Sequence, residues 1–247
     1  MKPIAIISHA AETGPGRLAE VADRRGLPTA LYELHRGDSL PPLEEISAVV
    51  ALGGPQSAYR VDEHPYLLEE EDYLRGAVEQ RTPVLAICLG SQVLARALGG
   101  TAEPGATGLE AGVIDVEALP GGHGFSGRYL SFHSDAAVPP PDAEILATSD
   151  RYTQAWRSGS ALAIQFHPEM TRDGMDTLLR LETEKLETYG IDVAEVQREV
   201  HEYFDHDSHF AFTLLNQWFD SWGAPSSPVE PVTSRPTHSL TKETLDD

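Results

Sequence analysis

The chain of 247 residues holds a single cysteine. One thiol excludes an intrachain disulfide and any zinc site built from several cysteines. Positive charge is scarce as well: 18 Lys and Arg stand against 39 Asp and Glu, a formal charge of -21. That balance argues against binding nucleic acid or an anionic membrane through an electrostatic surface. The sequence has no apolar run long enough to cross a bilayer, nothing that resembles a secretory signal, no internal repeat and no Gly-rich Lys-Ser/Thr loop of the kind that cradles phosphates. The cytoplasm is therefore the expected compartment, with neither nucleic acid nor membrane among the expected partners.

What is present is a regular alternation. Ile4 to Ser8, Thr29 to Glu33 and Ala48 to Leu52 read as short buried strands, while Arg17 to Arg25, ended by Gly26, and Pro65 to Gln80 read as helices. The pattern predicts an α/β domain with a mostly parallel sheet flanked by helices, its active residues on loops beyond the strands' carboxyl ends. Between Thr101 and Arg157, Gly, Pro and short alternating runs such as Gly112 to Val116 predict a small antiparallel β element.

Cys88 closes the apolar run Val84-Leu85-Ala86-Ile87 and precedes Gly90 and the helix-like stretch Ser91 to Leu98. Small residues two positions either side of it, Ala86 and Gly90, suit a sharp strand-to-helix elbow that lifts a nucleophile above the sheet. A helix N-terminus behind the thiol favours its thiolate. A lone cysteine at the end of an apolar strand also fits an inert core residue. A second strand-like run, Ala161 to Phe166, ends in His167-Pro168-Glu169. A thiol nucleophile needs a base, and the base needs a group that fixes its tautomer, so His167 and Glu169 have the chemistry to complete a triad.

Together these segments resemble the class I glutamine amidotransferase family, marked by a Cys-x-Gly-x-Gln elbow, here Cys88-Leu89-Gly90-Ser91-Gln92, and a later His-Pro-Glu, here His167-Pro168-Glu169. The strand and glycine loop Ala48 to Pro55 looks like the family's oxyanion loop. The resemblance covers about residues 1 to 185, is nearest to the amidotransferase domain of GMP synthetase and its stand-alone relatives, and implies a flavodoxin-like fold. It implies an enzyme that attacks the glutamine side-chain amide through Cys88, with His167 as acid and base, Glu169 orienting it, and the N–H groups of Gly54 and Leu89 as oxyanion donors. Gln92 matches a residue that contacts glutamine, and Phe132-His133-Ser134 looks like a glutamine-binding stretch working mainly through its backbone. Read alone, Gln92 also fits a capping or solvent residue and His133 a surface loop.

No cofactor or metal is expected. With no room for a synthetase domain, the ammonia would go to a separate synthetase protein. A γ-glutamyl hydrolase or peptidase would use the same acyl-enzyme, and a non-catalytic regulatory module would keep only the fold. Residues 1 to 222 are expected to form one domain, closed by helices over Asp173 to Tyr189 and Val193 to Trp222 with a break near Gly190. His201, Asp205 and His209 would share one face of the last helix, either as metal ligands or as a solvated acidic face. Residues 223 to 247, rich in Pro, Ser and Thr, read as a mobile tail.

Overall fold

The computed structural model describes residues 1–11 and 14–222. The tail expected over residues 223 to 247 lies outside them. The parallel strands are β1 (Ile4–Ser8), β2 (Thr29–Glu33), β3 (Ala48–Ala51), β4 (Val84–Ile87) and, much later in the chain, β11 (Ala161–Ile164). Between β4 and β11 come β5 (Thr101–Pro104), β6 (Glu110–Ala118), β7 (Gly127–His133), β8 (Asp135–Val138), β9 (Glu144–Thr148) and β10 (Thr153–Ser158). The helices are α1 (Gly16–Arg24), α2 (Tyr66–Glu79), α3 (Leu89–Ala97), α4 (Arg172–Leu181), α5 (Thr183–Thr188), α6 (Val193–His206) and α7 (His209–Asp220).

One nine-stranded sheet runs in the order β2-β1-β3-β4-β11-β10-β9-β6-β7. Pairing is parallel from β2 through to β11 and antiparallel from β11 onward. The expected α/β architecture is what the chain adopts. Its antiparallel strands continue the central sheet, and only β5 and β8 form a ribbon of their own.

Side-chain alternation along β1 sends Ile4 and Ile6 to one face and Ala5 and Ile7 to the other, and each face has its own core. On the first face α1 contributes Leu18, Val21 and Ala22 and α7 contributes Leu214, Leu215, Trp218 and Phe219. On the second, α2 contributes Leu67, Leu74 and Ala77 and α3 contributes Val93, Leu94 and Ala97. A third cluster joins Leu130 and Phe132 of β7 to Met175 and Leu179 of α4, Leu186 of α5 and Val196, Val200 and Tyr203 of α6.

The closing region is more segmented than its apolar spacing predicts. The helix expected over Asp173 to Tyr189 divides at Glu182, and the one expected from Val193 to Trp222 ends at His206 and restarts at His209. His201 and Asp205 lie four residues apart on α6 while His209 opens α7, so the three do not share one helix face. His201 Nε2 meets Asp176 at 3.0 Å, Asp205 pairs with Arg172, and His209 Nδ1 bonds the His206 carbonyl at 3.2 Å. Among the described residues no helix is long and apolar enough to cross a membrane.

Candidate active site

Four loops leave the carboxyl ends of adjacent parallel strands and meet at one edge of the sheet. They carry His9 after β1, Gly53-Gly54 after β3, Cys88 after β4 and His167 after β11. In an open parallel sheet this edge is where ligands bind.

Cys88 is the turn itself. Its backbone sits at φ 53 and ψ -109, a combination that L-residues rarely adopt, and α3 begins at the next residue. The chain reverses here because the Cys88 N–H still donates to the Ile164 carbonyl at 2.8 Å while the Gly90 N–H already donates to Leu52 O at 3.1 Å. Gly90 is required by contact: a Cβ there would lie 2.3 Å from the Ala51 carbonyl oxygen. The Ser91 and Gln92 N–H groups turn back to Cys88 O. The Leu89 N–H, by contrast, has no backbone acceptor among the described residues.

His167 and Glu169 form a buried pair beside the thiol, with Nδ1 2.7 Å from Glu169 Oε1. Burial by itself would lower the imidazole pKa. The charges of Glu169 and Cys88 and hydrogen bonds to both outweigh it, and raise His167 well above its ordinary value of 6.5. The segment is tied down at both ends, since the His167 N–H donates to Leu130 O and the Glu169 carbonyl accepts from the Arg17 N–H, each at 2.8 Å. Gly53 is wedged against both side chains: a Cβ on it would stand 3.0 Å from His167 Cε1 and 3.4 Å from Cys88 Cβ.

The other residues singled out from the sequence surround this centre. Phe132 presents its carbonyl oxygen 4.0 Å from Cys88 Sγ, and its side chain belongs to the third apolar cluster. Gln92 is buried on α3, not exposed at a cap, and its Nε2 donates to the Asp135 carbonyl at 3.1 Å. Ser134 uses its carbonyl to accept from the Gly105 N–H at 2.7 Å. His133 is buried, with Nδ1 2.9 Å from Asp135 O and Nε2 3.1 Å from Glu110 Oε2. A surface loop is thus not its setting. Because a carbonyl only accepts, Nδ1 carries a hydrogen.

Glu110 also accepts from Ser131 at 3.0 Å, Ser149 at 2.9 Å and Gln154 at 2.7 Å. Burial pushes its pKa up, but the hydrogen bond and charge of His133, with the Ser149 and Gln154 donors, bring it below 4.5. Gln154 reaches in from a register shift between β10 and β9, where it is the bulged residue.

Sequence reasoning passed over Glu110, His9 and Glu70. Glu110 shows no local signal. Glu70 has one: it stands with Leu67, Leu74 and Ala77 on the inward face of α2, a carboxylate inside an apolar stripe.

Comparison with known proteins gives a consistent result. The sequence model of the family described as Glutamine amidotransferase class-I matches residues 18–183. A GMP synthase (glutamine-hydrolyzing) of Pyrobaculum aerophilum is 36% identical over 134 residues, which are 51% of this chain and 25% of that protein. One subunit of the GMP synthase (glutamine-hydrolyzing) of Sulfolobus acidocaldarius is 32% identical over 142 residues, 53% of this chain and 72% of that one. A solved glutamine amidotransferase from Thermotoga maritima superposes with a TM-score of 0.81 at 27% identity, covering 89% of this chain and 99% of its own. The chain thus spans a quarter of the length of the Pyrobaculum protein and most of the Sulfolobus one.

Proposed function

The chain belongs to the class I glutamine amidotransferase family, and from that premise we propose that it hydrolyses the side-chain amide of L-glutamine through a Cys88 γ-glutamyl thioester and delivers the ammonia to a separate synthetase protein. The observation that carries this reading is the strained Cys88 elbow with the buried His167–Glu169 pair beside it.

In the first half-reaction the Cys88 sulfur, with its proton held by His167, bonds to the glutamine side-chain carbonyl carbon, and the carbonyl electron pair moves onto oxygen. The Gly54 and Leu89 N–H groups are the donors assigned to that oxyanion. Collapse of the intermediate expels the amide nitrogen, which takes a proton from His167 and leaves as ammonia. In the second half-reaction His167 takes a proton from water, hydroxide adds to the thioester, and sulfur departs to regenerate Cys88 with release of glutamate. Glu169 orients the imidazole through its Nδ1–H. Gln92 and the backbone of Phe132, His133 and Ser134 are the proposed contacts to bound glutamine.

A separate acceptor of ammonia is supported by the relatives, one of which is itself a subunit of a GMP synthase. The single free cysteine is consistent with the cytoplasm as the site of reaction.

The test is mass spectrometry of the intact protein after exposure to an electrophilic glutamine analogue, with ammonia release measured for wild type and Cys88→Ala. Labelling confined to Cys88, and a loss of glutamine turnover of at least about a thousandfold in the folded variant, are expected. Undiminished turnover in Cys88→Ala would remove the thioester, whereas turnover confined to γ-glutamyl peptides would replace the amidotransferase reading with a peptidase.

A further inference from the structure

Outside the triad, the most deeply buried ionisable pair at the reactive edge is His9 with Glu70, both wholly inaccessible to solvent. Glu70 Oε2 stands 2.7 Å from His9 Nε2. The opposite ring nitrogen, Nδ1, lies 3.3 Å from the carbonyl oxygen of Gly53. A carbonyl cannot donate, so Nδ1 must carry the hydrogen. Such a pair is a poor stability device, because desolvating two ionisable groups offsets most of their attraction and apolar packing would serve as well. Glu70 Oε1 is even without a hydrogen-bond partner among the described residues. What the pair does is hold the imidazole against the carbonyls that follow β3, Nδ1 on Gly53 with Leu52 beside it.

The Gly53 carbonyl belongs to the peptide whose other end is the Gly54 N–H. The peptide is trans, so its C=O and N–H point in opposite directions. In the sheet β3 lies between β1 and β4. His9 follows β1 and Cys88 follows β4, so a Gly53 carbonyl drawn to His9 turns the Gly54 N–H toward the Cys88 side. His9 is also packed hard on this peptide: a Cβ at Gly54 would lie 2.5 Å from His9 Cβ, and the His9 carbonyl is held by Gln56 Nε2 at 2.9 Å. The Gly54 N–H donates to no backbone acceptor among the described residues.

We propose that His9 is a positioning residue that holds the Gly53–Gly54 peptide with its N–H directed into the oxyanion hole, and that Glu70 holds His9 in the rotamer this requires. The inference rests on the assignment of the Gly54 N–H as an oxyanion donor. It adds a device for keeping that donor pointed inward before substrate arrives, since glycines at both ends leave the peptide no Cβ to restrict its orientation.

The experiment compares two double variants, in which Glu70→Gln avoids an unpaired buried carboxylate. His9→Asn/Glu70→Gln keeps an N–H donor near the Nδ1 position, and His9→Leu/Glu70→Gln removes it. For the Leu variant, kcat for ammonia release from glutamine should fall about a hundredfold, the effect of losing one oxyanion donor, with KM changed less than about threefold. The Asn variant should recover at least about tenfold of that loss. Alkylation of Cys88 by iodoacetamide, which needs no oxyanion hole, should proceed at the wild-type rate in both.

If the Leu variant does not fold, His9→Gln/Glu70→Gln, whose amide reaches the Nε2 position instead, takes its place with the same expectation. Equal kcat in the donor-keeping and donor-lacking variants overturns the proposal. Should wild type itself release no ammonia, the functional reading fails separately, and the anchor is then judged from crystal structures of the same variants. A Gly53 carbonyl turned away only where the donor is missing supports it, and one unmoved in both overturns it.

Discussion

A residue held at φ 53 and ψ -109 stores strain that only the surrounding fold can maintain, and here that residue is the proposed nucleophile. Cys88→Gly should relieve it. Although glycine costs unfolded-state entropy, the Gly variant is expected to be about 1 kcal/mol more stable than Cys88→Ala, both being inactive. Chemical denaturation of the two proteins measures the difference, and equal midpoints with equal slopes would remove strain from the account. Cys88, His167 and Glu169 were legible as candidates because each belongs to a short motif at a strand end, Cys88-Leu89-Gly90-Ser91-Gln92 and His167-Pro168-Glu169. Glu70 and His9 were not, being 61 residues apart with nothing in either segment to announce the other.

Among the elements, α1 is the one that joins the C-terminal helices to the reactive edge. Its Arg17 N–H reaches Glu169, while the Arg17 side chain lies between the rings of Phe204 in α6 and Phe212 in α7, 4.8 and 4.7 Å from their centroids. Arg17 also donates to the Ser208 carbonyl at 2.8 Å, at the break between those helices. Burial lowers its pKa from the ordinary guanidinium value. Arg17→Met keeps the packed stem and removes the charge and the donor. It should cost about 1–3 kcal/mol, with amide exchange accelerating first in α7. Exchange rising equally in every strand would mean that the helices are not held separately through Arg17. The sequence signalled helices here but not the break at Asp207, because apolar spacing continues across it. At the break the Asp207 and Ser208 N–H groups both turn back to the Tyr203 carbonyl, and α7 then packs on α1.

Over the whole molecule, buried pairs near the reactive edge set opposite limits on stability with pH. The raised His167 pKa means that its stabilising interactions are fully present below 6.5 and are lost as pH rises through the folded-state value. The lowered Glu110 pKa works the other way: its contribution is full above 4.5 and is lost as pH falls through its folded value. The difference in unfolding free energy between wild type and His167→Gln should therefore shrink on the alkaline side, and that between wild type and Glu110→Gln on the acid side. Urea titrations across pH test both, and differences independent of pH would contradict the shifts.

Taken alone, the amino-acid order dictated the succession of strands and helices, the family, and the two short motifs that carry Cys88 and His167-Pro168-Glu169. These depend on local periodicity and on neighbours along the chain, which a linear reading can see. It also pointed to antiparallel strands after Thr101. Packing in three dimensions was needed to establish that those strands extend the central sheet, that Gln92 and His133 are buried, and that Glu110 and the His9–Glu70 pair stand behind the reactive edge. Hydrogen bonds between buried ionisable groups are selected by position in space, which no local pattern records. A carboxylate on α2 and an imidazole after β1 acquire a common purpose only when the parallel sheet sets β1, β3 and β4 side by side.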